Sequence, residues 1–156
     1  MKFRLMSETQ PSIESIDALV GMAFQLVACS QWQHIPLRDL ASHLIPPIRL
    51  GQFDFLINDR DRPVAFAAWA FFDNDAVGDR IKCSTQAPAL GDWNGGDQLF
   101  FTTIIAPIGR TLTFSLKLAK RLERSNPESA SDAKRNQMIG VWRQNHPFLS
   151  QARQGG

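Results

Sequence analysis

Residues 91–110, with the sequence GDWNGGDQLFFTTIIAPIGR, constrain the fold more than any other segment. The first half is a polar, glycine-rich loop that contains Trp93. The second half, Leu99 to Ala106, is an apolar and β-branched run bounded by turn residues, which is typical of a strand buried on both faces. Pro107 and Gly109 end this strand, and helical spacing follows. The segment therefore predicts a strand–turn–helix unit, which is scaffold in most proteins and holds a ligand at the helix N-terminus in others.

Two helices are predicted before the sheet. From Ser12 to Ser30, apolar residues recur every three or four positions, with Ser12 as the N-cap. A polar break, QWQHIP, follows, and its proline suits the start of a second helix at Leu37 to Leu44. Pro46-Pro47 is expected to end this second helix, because proline lacks the N–H that an α-helix requires.

Most of the remaining chain predicts strands. Residues 52–57 and 64–72 are apolar runs separated by the charged turn NDRDRP, which indicates a β-hairpin. Residues 80–85 and 137–143 are expected to add a third and a last strand, and residues 111–124 to form a helix. Helices that flank a mostly antiparallel central sheet define the α+β class.

The length of 156 residues predicts one domain, at 12–145, between a flexible N-terminus at 1–11 and a flexible tail at 146–156. No apolar run approaches 18 residues and no signal peptide is recognisable, so we expect no transmembrane segment. The two cysteines, Cys29 and Cys83, lack metal-ligand spacing and are expected to be free thiols in a reducing cytoplasm, with a single disulfide between them as the alternative. No bound metal or cofactor is predicted.

Charge is distributed unevenly along the chain. Residues 1–116 carry 9 Lys/Arg and 12 Asp/Glu, whereas residues 117–156 carry 8 and 3, so the balance changes from −3 to +5. The basic part suits an acidic partner or a phosphate group, and a solvated helix face explains it equally well. No nucleic-acid-binding motif is present, so nucleic acid is not an expected partner.

His34 is the first candidate for chemistry, because a histidine in a turn titrates near neutral pH and can act as a general base. Ser30 lies four residues before it, but that spacing alone does not make a nucleophile and base. Arg110 opens the last helix and suits a phosphate there. Thr103 lies inside the apolar strand, where threonine is ordinarily structural.

Four fragments together resemble one family, the lysine acyltransferases that activate RTX toxins (the haemolysin-activator type). They are PPIRLGQF at 46–53, RPVAFAAWA at 62–70, DWNGGD at 92–97 and IAPIG at 105–109. The resemblance covers about residues 18–110, and the order of the fragments carries it. It implies an acetyltransferase-like (GNAT-type) fold. It also implies transfer of a fatty acyl group from acyl carrier protein to internal lysines of a protoxin, and self-association as a homodimer.

The resemblance also assigns site residues. The family pattern Ser-Pro-x-His-Arg-x-Trp-Pro is one residue shorter here, so its catalytic histidine aligns with Gln33 or Trp32, and His34 is the nearest imidazole. The family has an aspartate in the buried strand where this chain has Thr103. The implied catalytic set is therefore His34, Ser30 and Thr103, with Trp69, Trp93 and Arg110 binding the acyl donor.

Two functions follow from this set. The chain is an active acyltransferase with an altered site, or it is a catalytically inactive relative that acts as a binding or accessory protein. Whether His34 faces a cleft beside Thr103 is the structural feature that discriminates between them.

Overall fold

A computed structural model describes residues 2–8, 15–73, 75 and 87–125. Four strands form one sheet: β1 (Phe3–Leu5), β2 (Phe53–Asn58), β3 (Pro63–Phe72) and β4 (Gln98–Ile105). The α-helices of these residues are α1 (Ile16–Ala28), α2 (Leu37–Leu50) and α3 (Thr111–Ser125). Their arrangement confirms the predicted α+β class.

The strands lie in chain order, β1-β2-β3-β4, and each pairs antiparallel with the next. The predicted hairpin is confirmed by β2 and β3, in which Phe55 pairs with Phe66. The register of β3 and β4 shifts between Ala68 and Trp69, because β4 carries one extra residue there. The bulge bends β4 where its threonines lie.

Helices α1 and α2 cover one face of the sheet. Their apolar side chains pack against Phe55, Phe66, Ala68 and Ile105 from the strands. We call this side of the sheet the front face. Ala68 is completely buried where these helices pack on the sheet.

Helix α3 covers the opposite face, which we call the back face. Phe114, Leu118 and Ala119 of α3 pack against the strand residues Leu56, Ala67, Trp69, Phe101 and Ile104. Because front-face and back-face residues both occur in β4, this strand is buried on both faces, as the sequence predicted.

The second helix differs from the prediction. It runs to Leu50 through Pro46 and Pro47 instead of ending before them. Burial explains this, since Leu44, Pro47 and Ile48 continue the apolar stripe that packs on the front face. The helix ends at Gly51, whose φ of 70° is the left-handed conformation that glycine favours, with the Gly51 N–H directed to the Ile48 carbonyl.

Three residues near the N-terminus form part of the sheet. The sequence predicts a flexible segment at 1–11, but Phe3–Leu5 within it pair with β2 and Leu5 is completely buried. Helix α1 has Ser15 as its N-cap, with the Ser15 hydroxyl accepting from the Ala18 N–H, whereas the predicted cap, Ser12, lies outside the described residues. Also outside them are the strands predicted at 80–85 and 137–143, Cys83, and the tail.

Candidate functional site

The loop from Trp93 to Asp97 wraps around the end of β3. The Phe71 N–H donates to the Trp93 carbonyl over 2.8 Å, and the Gly96 N–H donates to the Phe71 carbonyl over 3.0 Å. The chain then crosses β3 and returns as β4 along the other edge. At the crossing, a Cβ on Gly96 would lie 2.4 Å from the Phe72 carbonyl carbon, so only glycine fits there.

Gln52 connects this loop to the hairpin. Its side-chain amide is buried and donates to the Trp69 carbonyl at 3.0 Å and to the Trp93 carbonyl at 3.1 Å. Its own backbone carbonyl accepts from the Trp69 N–H at 3.0 Å. One glutamine therefore joins three segments that are distant in sequence, namely the end of α2, the middle of β3 and the Trp93 loop.

Thr103 lies on the front face of β4. Its register partner is Ala68, a front-face residue, and partners in register share a face. The Thr103 side chain is 0% exposed, and its hydroxyl has no hydrogen-bond partner within the part of the chain that the structure describes. The position therefore has a polar group but no charge and no opening to solvent.

His34 and Ser30 lie in the turn between α1 and α2. The Ser30 hydroxyl caps this turn: it accepts from the Trp32 N–H and donates to the Val27 carbonyl over 2.9 Å. His34 is exposed, and it makes no hydrogen bond to Ser30 or to any other described residue. The structure therefore does not bring His34, Ser30 and Thr103 into hydrogen-bonding contact.

The alternative histidine positions differ in burial. Gln33 is exposed, whereas Trp32 is buried in the front-face core. Trp32 packs edge-on against His43 of α2, with the ring centroids 5.9 Å apart. His43 is itself buried. When the alignment is anchored at Pro36, Trp32 corresponds to the family histidine, so the imidazole of His43 lies next to that position.

The residues predicted to bind the acyl donor lie on two faces. Trp93 packs with Ala70 and Phe72 on the front face, and its indole N–H is buried without a hydrogen-bond partner among the described residues. Trp69 lies on the back face, because it follows Ala68 directly and successive strand residues alternate. Arg110 is exposed at the start of α3, with its guanidinium 4.9 Å from the ring centroid of Phe3.

Asp54 is a buried acid that the sequence analysis did not select. It is 1% exposed on the back face of β2. Arg121 Nη1 lies 2.6 Å from Oδ2, the Ser7 hydroxyl donates to the same oxygen, and the Ser7 and Phe55 N–H groups donate to Oδ1. A charged residue inside the apolar strand FDFLI was the available signal, because a buried carboxylate requires partners.

Burial raises the pKa of Asp54 above its ordinary value of 3.8, although the hydrogen bonds from Ser7 and the Arg121 charge act in the opposite direction. Asp54 does not lie on the same face as Thr103. Asp54 pairs with Ala67 of β3, a back-face residue, so the two side chains lie on opposite faces of the sheet.

Comparison with known proteins decides the family. Residues 12–140 match the RTX toxin acyltransferase (HlyC) family, which is most of the chain. The chain belongs to the RTX toxin acyltransferase family. Members of this family are lysine acyltransferases that activate RTX toxins, so the resemblance drawn from the four sequence fragments is confirmed.

Individual members of the RTX toxin acyltransferase family are similar at about 30% identity. The lysine-acyltransferase RtxC of Vibrio cholerae serotype O1 is 29% identical over 83 residues, which cover 49% of this chain and 54% of that protein. The protein-lysine palmitoyltransferase CyaC of Bordetella bronchiseptica is 34% identical over 96 residues, covering 60% and 49%. The leukotoxin-activating lysine-acyltransferase LtxC of Aggregatibacter actinomycetemcomitans is 33% identical over 104 residues, covering 62% and 57%.

The alignments cover about half the length of these curated relatives. Within the described residues of this RTX toxin acyltransferase homologue, no helix is long and apolar enough to cross a membrane. The same residues contain no cluster of three His, Cys, Asp or Glu side chains able to hold a metal ion.

Proposed function

We propose that this chain is a protein-lysine fatty acyltransferase. It takes an acyl group from acyl carrier protein and transfers it to an internal lysine of an RTX-type protoxin in the cytoplasm. The observation that carries the proposal is the junction at Gln52, where three of the four family-like fragments meet through the Trp69 and Trp93 carbonyls. Fragments that carry the family resemblance are therefore joined to one another by direct hydrogen bonds.

The chemistry is acyl transfer from a thioester to an amine. The lysine nitrogen attacks the thioester carbonyl, the new C–N bond forms, the C–S bond breaks, and the carrier leaves as a thiol. A base must remove a proton from the ammonium group before attack. We assign this role to His34, with Ser30 assisting and Thr103 donating a hydrogen bond in the place of the family aspartate.

This assignment requires the turn to rearrange in the complex. His34 is exposed and Thr103 is fully buried, while the Ser30 proton is already donated to the Val27 carbonyl. Catalytic hydrogen bonds that are absent from a structure without substrate can form in the reacting complex. We therefore expect substrate binding to move the segment Gln31–His34 relative to β4.

The donor contacts belong to the same proposal. Trp69, Trp93 and Arg110 bind the acyl carrier protein with its phosphopantetheine thioester, and no bound cofactor takes part. We also assign an acetyltransferase-like (GNAT-type) topology and a homodimeric state. The antiparallel sheet with helices on both faces supports the topology.

The test is a direct transfer assay. The purified chain is incubated with fatty-acyl-loaded acyl carrier protein and an RTX protoxin, and acyl-lysine is measured by mass spectrometry. A curated relative such as LtxC is run with its own toxin as the positive control. Acyl-lysine that disappears in His34→Ala supports the proposal. The absence of acyl-lysine in every donor and protoxin combination, with the control active, contradicts it.

A second candidate is a catalytically inactive relative that acts as a binding or accessory protein. The specific observation in its favour is that His34 is exposed, whereas the Thr103 hydroxyl is buried without a hydrogen-bond partner among the described residues. This candidate predicts protoxin binding without acylation. Co-purification of the protoxin with both wild type and His34→Ala, with no acyl-lysine in either, would support it.

A further inference from the structure

Helix α3 has a basic outer face. Lys117, Lys120, Arg121 and Arg124 are spaced three, four and seven residues apart, which places them on one side of an α-helix. The opposite side carries Phe114, Leu118 and Ala119, which pack against the back face of the sheet. Lys120 and Arg124 are exposed, whereas Lys117 and Arg121 are half-buried beside them, and we call the surface of these four cations the α3 basic face.

Two of the four cations are anchored and two are not. Lys117 Nζ donates to the Phe3 carbonyl over 3.2 Å, and Arg121 pairs with Asp54. Lys120 and Arg124 are exposed, and neither forms a salt bridge with a described residue. The anchored pair fixes the helix against β1 and β2, and the exposed pair presents positive charge to solvent from a rigid support.

The chemistry of this face favours a protein partner over nucleic acid or membrane. None of the described Phe or Trp side chains is exposed, so these residues provide no platform for stacking bases. A helix that binds a membrane inserts its apolar face, whereas the apolar face of α3 is buried against the sheet. Exposed Ile108 and Leu112 lie beside the first turn of α3, and apolar contacts next to charged groups are typical of protein interfaces.

We propose that the α3 basic face is a docking surface for an acidic protein surface, with Lys120 and Arg124 as its principal contacts. The partner is the acyl carrier protein named above as the acyl donor, and this identification rests on the proposed function. The preference of a basic surface for an acidic partner does not depend on that function. Docking is electrostatically steered, so it weakens as salt rises.

The test measures binding without turnover. Holo acyl carrier protein, which carries no acyl group, is titrated against wild type, Lys120→Glu/Arg124→Glu and a matched control, Arg38→Glu/Arg60→Glu, at 20 and 300 mM salt by isothermal calorimetry. The control makes the same change in net charge at two other exposed arginines. The α3 variant is expected to lose roughly tenfold or more in affinity at low salt, because like charges then face the partner. The control is expected to lose less than threefold, and thermal unfolding confirms that both variants fold.

Each outcome decides the proposal. The docking surface is overturned if wild type does not bind the carrier at low salt, or if both variants lose the same carrier affinity. It is also overturned if wild type binds anionic lipid vesicles in place of the carrier. If only the α3 variant loses carrier affinity and wild type produces no acyl-lysine, the result supports the docking surface and contradicts the proposed activity. If the α3 variant shows normal acyl transfer and normal carrier affinity, the proposed activity is supported and the docking surface is contradicted.

Discussion

Arg121 Nη1 lies 2.6 Å from Asp54 Oδ2, and this ion pair joins the last helix to the back face of β2. Asp54 is almost completely buried, whereas about a third of the Arg121 side chain is exposed. Ser7 adds two hydrogen bonds to the same carboxylate. The N-terminal segment, the sheet and α3 are therefore tied together by one acidic side chain.

Asp54→Ala is expected to lower the free energy of unfolding by about 1–3 kcal/mol, because buried hydrogen-bond donors lose their acceptor. Solvent near Arg121 limits the effect. Urea unfolding monitored by circular dichroism measures it, and Asp59→Ala, in the exposed turn between β2 and β3, is the control. Equal effects of the two substitutions would contradict the role given to Asp54.

The same carboxylate predicts a pH dependence. Because burial raises the pKa of Asp54 above 3.8, the folded state holds this proton more tightly than the unfolded state does. The contribution of Asp54 to stability is therefore greatest below pH 3.8 and is lost as pH rises through the raised folded pKa. The difference in unfolding free energy between wild type and Asp54→Asn should therefore decrease as pH rises from 3.8 through the folded pKa. Urea unfolding at a series of pH values measures this difference. A difference that increases with pH would mean that Ser7 and Arg121 outweigh burial.

Gly96→Ala is expected to destabilise the protein by about 1–3 kcal/mol, since the new methyl group must displace the backbone at Phe72 and Asp73. Gly95→Ala is the matched control. A Cβ on Gly95 would approach no atom outside its immediate chain neighbours more closely than 3.7 Å, which is an ordinary contact. Thermal unfolding of both variants tests the prediction, and similar melting temperatures would rule out the close crossing.

Thr103→Val is expected to leave stability unchanged or to raise it by up to about 1 kcal/mol. The buried hydroxyl has no hydrogen-bond partner among the described residues, so valine removes a desolvated polar group while keeping the shape. Thr103→Asp at the same position should be strongly destabilising, because it buries a charge in a fully enclosed site. Chemical denaturation compares the two, and a large loss in Thr103→Val would reveal a hydrogen bond to Thr103.

Arg110 adopts a φ of 65°, a conformation that costs a residue other than glycine about 1–2 kcal/mol. Arg110→Gly relieves this cost and loses the contact with the Phe3 ring, whereas Arg110→Ala loses the contact and keeps the cost. Glycine should therefore be the more stable of the two by about 1 kcal/mol. Their melting temperatures decide this, and a more stable alanine variant would contradict it.

Strands β2, β3 and β4 and the last helix could be predicted from the sequence because their signals are local, whereas β1 could not. The apolar run Val64–Phe72 and the run that ends at Ala106 each contain enough β-branched or aromatic residues to indicate a strand directly. The end of α2 could not be predicted, because the burial of Pro47 and Ile48 against distant strands overrides the local effect of proline.

The candidate site was less accessible to prediction. Trp69 and Thr103 lie on opposite faces because Thr103 pairs with Ala68, the residue before Trp69, and only the paired strands reveal this register. The role of Asp54 depends on Ser7 and Arg121, which are 47 and 67 residues away in sequence. The roles of His34, Ser30 and Thr103 in catalysis stay predictions.

The crossing at Gly96 bears on how family membership is interpreted. Its glycine is required by backbone geometry, and Gln52 likewise acts through the main chain of Trp69 and Trp93. Selection for a folded chain alone would retain such positions after catalysis had been lost. The fragments that identify this protein therefore include positions fixed by the backbone of the fold, and both proposed functions require that fold.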